Sequence, residues 1–176
     1  MRCPNSFCVV APLLALFLLG GCVATKQAPL TSFDGSGASG ELEIRLFAVN
    51  DLDSFRAKWE KSDRAPNEQS EIAVLTGGSV HLPVLFNGCA VEGEGNCQLY
   101  GRLVIVNADS DEVVYRGQRV RLWSNREPAA LGSWSMATHV PNVTVTEGGA
   151  PMRVVFEVSD DVREETAQAG LILRTE

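Results

Sequence analysis

Apolar and charged residues alternate along residues 41–49 of the chain, the stretch ELEIRLFAV. Leu42, Ile44 and Leu46 fall on one side of this alternation, whereas Glu43 falls on the other. A period of two residues is typical of a strand that buries one face against a core and exposes the other to water. The pattern therefore predicts the first strand of a folded domain here.

The hydrophobic period lengthens directly after this strand. Leu52, Phe55 and Trp59 have the spacing of residues on one face of a helix, and Asn50 or Asp51 before them can cap its first turn. Pro and Asn follow within a few residues, and both interrupt helices. The sequence therefore predicts one short helix that ends shortly after Trp59.

Short apolar runs separated by turn residues fill the rest of the chain. Gly77–Gly78, Gly117 and Glu147–Gly149 are turn signals, and each predicts a hairpin between the runs that flank it. Pro83 predicts an interruption in its strand. The run 98–107 is apolar on both alternations at its centre, which predicts a central strand. The predicted strands are 71–75, 79–86, 98–107, 112–116, 118–123, 131–138, 142–146, 151–159 and 169–174.

Many short strands with one helix define the fold class that we expect. We predict an all-β domain over residues 41–176: an antiparallel, immunoglobulin-like β-sandwich with one short inserted helix. A small barrel would give the same periodicity, so this alternative architecture stays open.

The amino terminus has a basic start, an apolar segment from Val9 to Leu19, and the sequence LGGC at Leu19–Cys22. It resembles the signal peptide and lipobox of bacterial lipoproteins. The apolar segment is shorter than the roughly 20 residues of a membrane-spanning helix. The resemblance implies that residues 1–21 are a signal peptide, cleaved after a diacylglycerol thioether forms on Cys22.

The residues after the lipobox extend this resemblance to a location. Residues 22–40 end in a Gly/Ser-rich run, so we expect the lipidated Cys22 to be followed by a flexible tether. Val23 occupies the position at which an Asp would favour retention in the inner membrane. The resemblance therefore implies a periplasm-facing domain anchored in the outer membrane, with the lipid bilayer as a partner of acylated Cys22.

The five cysteines are accounted for by export. Cys3 and Cys8 leave with the signal peptide and Cys22 receives the lipid, so Cys89 and Cys97 remain in the domain. In an oxidising compartment, two remaining thiols at this spacing predict a disulfide. A zinc site would need two further Cys or His ligands, and the neighbouring sequence does not supply them.

The charge balance narrows the class of partner. The chain has 15 basic and 22 acidic residues and a formal net charge of −7. Because no cluster of Lys or Arg is present in this acidic chain, we expect no nucleic-acid binding.

Several spaced motifs carry a second resemblance. They are Trp59, Phe86–Cys89, Gly95–Cys97, Leu122–Trp123 and Asp160–Val162. Together they resemble a group of uncharacterised exported proteins of Gram-negative bacteria, which implies no activity. Residues 44–47 and the following helix also resemble the outer-membrane lipoprotein of type VI secretion assemblies, and this alternative stays open.

Candidate chemistry is sparse in this sequence. His81 and His139 have no second histidine or carboxylate at metal-ligand spacing, and no G-x-S-x-G elbow is present. A hydrolase would require carboxylates that converge on one of these histidines in the fold. We predict no catalytic residue, no metal, no cofactor and no enzyme activity.

Aromatic side chains and one irregular segment mark the expected binding surface. Trp123, Trp134 and Tyr115 are candidate recognition aromatics, and the segment 124–132 contains Arg126. We predict binding through Trp123, Arg126 and Trp134. The favoured function is a non-enzymatic outer-membrane lipoprotein that binds an envelope protein or supports an envelope assembly. The alternative is a module that binds a small ligand or a carbohydrate.

Overall fold

The computed structural model describes residues 33–61, 71–74, 78–89, 91–92, 96–123, 134–145 and 149–175. The lipobox with Cys22 lies outside these residues, as do Arg126 and the side chain of Cys97. No helix in the described ranges is long and apolar enough to cross a membrane.

The described residues form one helix and fourteen strands. In chain order they are β1 (Ser36–Ser39), β2 (Leu42–Leu46), α1 (Leu52–Glu60), β3 (Glu71–Val74), β4 (Ser79–His81), β5 (Val84–Asn87), β6 (Val91–Glu92), β7 (Asn96–Cys97), β8 (Leu99–Asn107), β9 (Val113–Arg116), β10 (Val120–Arg121), β11 (Ser135–Met136), β12 (Asn142–Thr144), β13 (Met152–Asp160) and β14 (Glu165–Thr175).

Two larger sheets and two small ones make up the domain. The four-stranded sheet has the order β1-β2-β5-β11, and the six-stranded sheet has the order β10-β8-β13-β14-β3 with β9 also paired to β8. The pairs β12–β4 and β6–β7 form the small sheets. The predicted all-β class with one short helix is confirmed.

Alternating side chains from both larger sheets fill one core. On β2 the apolar positions of the sequence alternation are buried, and on β13 Val154, Phe156 and Val158 are buried in the same cluster. Each of these positions is separated from the next by one residue, so a single face of each strand supplies the core. The predicted first strand is therefore confirmed.

The two larger sheets approach closely where β1 passes β14. The amide of Gly35 donates a hydrogen bond of 2.9 Å to the carbonyl oxygen of Gly170. Ala167 and Ala169 are the buried residues on this part of β14, and their small side chains leave room for the close approach. β1 lies inside the range 22–40 that we assigned to the tether, so the folded domain begins earlier than residue 41.

The helix forms where the hydrophobic period predicts it. Asp51 is its N-cap, with Oδ1 accepting a hydrogen bond of 2.9 Å from the amide of Ser54. The Ser54 hydroxyl also donates to this carboxylate, and these hydrogen bonds hold the pKa of Asp51 below its ordinary value. Phe55 is buried against Phe47, with ring centroids 5.3 Å apart. The helix therefore covers the face of β5 that carries Leu85.

The predicted hairpins around all three turns are wrong. β12 and β13, which flank Glu147–Gly149, do not pair with each other, because β12 pairs with β4 whereas β13 pairs with β8 and β14. β3 and β4 do not pair with each other, because β3 pairs in parallel with β14 and β4 pairs with β12. β9 and β10 flank Gly117 but both pair with β8. The expectation of a fully antiparallel domain is corrected by the parallel β3–β14 pair.

Two predictions about individual strands are confirmed. The strand predicted at 79–86 is interrupted at Pro83, which separates β4 from β5. β8 is a central strand, because β13 pairs along one edge while β9 and β10 pair along the other.

Candidate functional site

Trp123 lies on the inner side of the four-stranded sheet. Its ring meets the buried Phe86 edge-on, with centroids 5.1 Å apart, and packs against the main core. The indole N–H is buried without a hydrogen-bond partner among the described residues. Trp123 is thus a partly buried residue that packs against the core, and this packing takes up ring surface that a binding role would leave exposed.

Trp134 lies on the opposite side of the same sheet. It packs with Phe47, Phe55 and Leu85 in the cluster beneath α1, and the Arg45 guanidinium lies 4.8 Å from its ring centroid. Leu85 and Phe86 are adjacent on β5 and so point to opposite faces. The structure therefore does not bring Trp123 and Trp134 to one surface, and Arg126 lies outside the described residues.

The two histidines come close to the same asparagine. His81 on β4 is opposite Asn142 on β12, with 3.3 Å between His81 Nδ1 and Asn142 Nδ2. His139 borders a cleft that Asn142 also lines. The described lining of this cleft contains no Asp or Glu, so a histidine–carboxylate pair does not form there. In the described part of the chain, no three His, Cys, Asp or Glu side chains form a cation site.

The acidic turn between β8 and β9 is held by its own backbone. Asn107 Oδ1 accepts hydrogen bonds from the amides of Asp109 and Ser110, at 2.9 and 3.1 Å. Asp111 adopts a positive φ of 59°, and its carboxylate forms an ion pair with Arg153. The oxygen-rich residues of this turn thus act as turn formers.

β9, which follows this turn, is the exposed edge of the six-stranded sheet. Val113, Val114 and Tyr115 are 46%, 54% and 51% exposed, although all three are large apolar or aromatic residues. Among the described residues, β9 pairs only with β8. An irregularity in the β8 register between Ile105 and Val106 places Val114 at a bulge. An apolar strand with a free edge is a template for the addition of another strand.

A cleft of about 640 Å³ opens beside β9. Its described lining comes from the six-stranded sheet and from β12 with the segment before it: Leu103 and Ile105 of β8, Tyr115, Gly117, Gln118, Val120, His139, Val140, Pro141, Asn142, Val143 and Thr144, and Phe156 of β13. β12 forms one wall, whereas β8 and the segment around Gly117 form the other. The cleft and the β9 edge therefore adjoin each other at Tyr115.

A second hollow of about 430 Å³ lies on the polar face of the six-stranded sheet. Its charged side chains are paired within the protein, since Arg102 contacts Glu157 at 2.5 Å and Arg119 pairs with Asp161. The Arg119 guanidinium also lies 4.1 Å from the Tyr100 ring centroid. These pairings leave the β9 edge and its cleft as the candidate functional region.

Sequence reasoning predicted the strand 112–116 and marked Tyr115, but it did not predict that this strand is an exposed edge. Residues 112–116 read EVVYR, three consecutive apolar or aromatic residues between two opposite charges. An unbroken apolar run is typical of a strand covered on both faces, so the sequence carried no signal that this strand is an exposed edge.

Comparisons with known proteins assign no family. No protein-family model matches the chain, and no curated protein matches it. Among solved structures, it is similar to a family 123 glycoside hydrolase from Clostridium perfringens, with a TM-score of 0.42 and 8% identity; the match covers 78% of this chain and 27% of that chain. A Niemann-Pick type C2 protein from Japanese carpenter ant is similar with a TM-score of 0.37 and 6% identity, covering 80% of this chain and 93% of that one. Both similarities are too distant to transfer a ligand or an activity.

Proposed function

We propose that the chain is a non-enzymatic outer-membrane lipoprotein that acts as an envelope-assembly module by pairing with a second copy of itself through β9. In this proposal, acylated Cys22 anchors an immunoglobulin-like β-sandwich on the periplasmic side of the membrane. A Cys89–Cys97 disulfide closes the segment that contains the small β6–β7 hairpin, where Val91 pairs with Cys97 along the backbone. In this proposal, the envelope partner expected from the sequence is a second copy of the chain.

The observation that carries this proposal is the symmetry of the exposed EVVYR segment. In an antiparallel pair centred on Val114, each Glu112 is level with Arg116 of the second copy. The bulge at Val114 turns Val113 and Tyr115 to opposite faces of the sheet, because Val113 is opposite Val106 whereas Tyr115 is opposite Ile105. All of these residues are exposed. Opposite charges at neighbouring cross-strand positions favour strand pairing, and the exposed apolar edge of β9 offers its free backbone groups to the second copy. A two-fold contact of this kind is self-complementary, as the interfaces of most homodimers are.

The contact is short, which is consistent with assembly only at a membrane. β9 has four residues and its bulge limits the length of regular pairing. Such a strand buries far less than the roughly 1,000 Å² expected for a stable interface in solution. Lipid anchors confine both copies to one surface, and this raises their effective concentration. A short edge contact can then be populated on the membrane.

Cysteine cross-linking in the native envelope tests the proposal. In lipidated protein, Val114→Cys places the two new thiols opposite each other on the two-fold axis. We expect mild oxidation to give a disulfide-linked dimer of this variant. Ser110→Cys is the matched control, because Ser110 lies in the exposed turn before β9 and outside the proposed contact.

The comparison between these variants decides the outcome. A dimer of Val114→Cys with monomeric Ser110→Cys supports pairing through β9. Equal cross-linking of both variants would indicate random collision in the membrane and contradict the proposal. Cross-linking of Val114→Cys only to a different envelope protein would also contradict pairing between copies.

A further inference from the structure

Tyr115 shows that the inner face of the six-stranded sheet is open beside β9. Tyr115 is directly opposite Ile105 in the β8–β9 register, so the two side chains share one face of the sheet. Ile105 is only 7% exposed, whereas Tyr115 is 51% exposed. This face of the sheet is therefore buried in the core at β8 but exposed to solvent at the neighbouring strand β9.

The cleft at this place has an apolar floor. Leu103, Ile105, Val143 and Phe156 line it, and each belongs to the buried core. The Tyr115 ring forms one side of the opening and lies close over Gly117, where a Cβ atom would be 3.3 Å from the ring. Core side chains that face a cavity rather than other side chains lose the dispersion contacts that normally accompany burial. An apolar occupant would restore these contacts.

The polar groups around this floor are amides, hydroxyls and one imidazole. Gln118 lies on one wall, whereas His139, Asn142 and Thr144 lie on the other. Asn142 is held in place by its neighbours on β4, because its Oδ1 accepts a hydrogen bond of 2.5 Å from the Ser79 hydroxyl. No Lys, Arg, Asp or Glu belongs to the described lining. A charged ligand would therefore lose hydration without gaining an ionic partner.

We infer that this cleft binds an uncharged amphipathic small molecule, with its apolar body on the floor and a hydroxyl or carbonyl end at the rim. The cleft volume of about 640 Å³ lies within the roughly 300–1,000 Å³ of known ligand pockets. An apolar lining with a few placed polar groups is also typical of such pockets. This inference does not require pairing between copies, because the cleft forms within one chain, although Tyr115 borders both the cleft and the β9 edge.

Photolabelling of the lipidated full-length protein in membrane vesicles tests this inference. The probe is a long-chain alcohol with a diazirine in its chain, and the matched probe is the corresponding carboxylate. Mass spectrometry of the peptides locates the label. We expect the alcohol to label the peptides that contain Leu103–Ile105 and Val143, and excess unlabelled alcohol to compete. We expect the carboxylate to label these peptides much less.

Two filling variants and one control sharpen the test. Thr144→Trp and Gln118→Trp place an indole in the cleft from opposite walls, and both positions are exposed, so the core is undisturbed. Each should abolish labelling of the cleft peptides. Glu43→Trp adds an indole at an exposed strand position of the other large sheet and should leave labelling unchanged.

Three results would overturn the inference. They are alcohol labelling that persists in both filling variants with native circular dichroism, labelling spread evenly over the protein surface, and equal labelling by the carboxylate. Loss of labelling in Glu43→Trp together with the filling variants would likewise show that the indole acts without occupying the cleft.

Discussion

Gly37 on β1 lies directly against the backbone carbonyl of Gln168 on β14. A Cβ atom at position 37 would overlap this carbonyl oxygen. The two strands belong to different sheets, and the amide of Gly35 bonds to the carbonyl of Gly170 beside this contact. Only a residue without a side chain allows the backbones to approach so closely, so Gly37 sets the spacing between the two sheets at this place.

Replacing Gly37 with Ala is expected to destabilise the domain by about 1–3 kcal/mol, the usual cost of forcing extra atoms into a packed position. The added methyl group would push β1 away from β14. The measurement is the denaturant midpoint of the full chain. Gly117→Ala is the comparison variant. A Cβ atom there would meet Leu103 and Tyr115 at 3.3 Å, which is a tight contact but not an overlap, so its loss of stability should be smaller. An equal loss in both variants would show that the close contact is not the cause.

Glu112 and Arg116 provide a charge-swap test of pairing through β9. Glu112→Arg places two arginines opposite each other in both halves of the symmetric contact, and Arg116→Glu does the same with two glutamates. Each facing pair contributes about 0.2–1 kcal/mol in a sheet, so either single variant should lower dimer yield several-fold. The double variant restores both opposite-charge pairs and should recover the yield.

The readout of this swap is the cross-linked fraction, measured with Val114→Cys in each background. Recovery in the double variant is the decisive result, because it separates pairing between copies from a general effect of charge on the surface. If the double variant cross-links as poorly as the single variants, the antiparallel register centred on Val114 is wrong.

The stability that the Asp51 helix cap contributes is expected to depend on pH. Hydrogen bonds from Ser54 lower the pKa of Asp51 in the folded protein, so its contribution to stability is present above the unfolded pKa and is lost as pH falls through the folded pKa. At neutral pH, Asp51→Ala should unfold at a lower temperature than wild type. The difference in unfolding temperature between wild type and Asp51→Ala should become smaller as pH falls below about 4. A gap that stays constant down to strongly acidic pH would contradict a role for the charged carboxylate.

Local sequence patterns correctly predicted the structural elements that are determined by residues close together in the chain. The Leu42–Leu46 alternation, the cap at Asp51, the interruption at Pro83 and the central position of β8 all appear in the structure. Each depends on periodicity or on a backbone preference of one residue type. β13 and β14 are also where apolar runs predict them, although β14 begins four residues earlier.

Strand pairing depends on contacts that are distant in sequence, and there the predictions failed. Gly77–Gly78 marks a turn, but Ile172–Thr175 pairs in parallel with β3 while β4 pairs with β12. A turn residue does not determine which strands distant in the sequence pair with each other. The two tryptophans illustrate the same limit. Their positions in the sequence are near each other, whereas the sheet between them places Trp123 and Trp134 on opposite faces.

The Cys89–Cys97 disulfide is expected to lower the mass of the exported protein by two hydrogens relative to its reduced form. Cys89 is 5% exposed and packs in the main core. In the chain-entropy model, a loop of this length stabilises the fold by about 2.5 kcal/mol. The paired variant Cys89→Ala/Cys97→Ala should therefore have a lower denaturant midpoint than wild type. Alkylation of both thiols in the unreduced native protein would contradict the disulfide.

Cys22→Ser tests the membrane anchor and its proposed role in assembly together. Without the thiol, no diacylglycerol can attach, and we expect the protein to leave the outer-membrane fraction. The free protein loses the high effective concentration of a shared surface, so Val114→Cys in this background should cross-link far less than in the lipidated protein. A reattached anchor, such as an unrelated lipoprotein signal with its own lipidated cysteine, should restore both membrane fractionation and cross-linking. Unchanged membrane fractionation of Cys22→Ser would contradict the anchor, whereas released protein that still cross-links fully would show that pairing through β9 does not depend on the membrane.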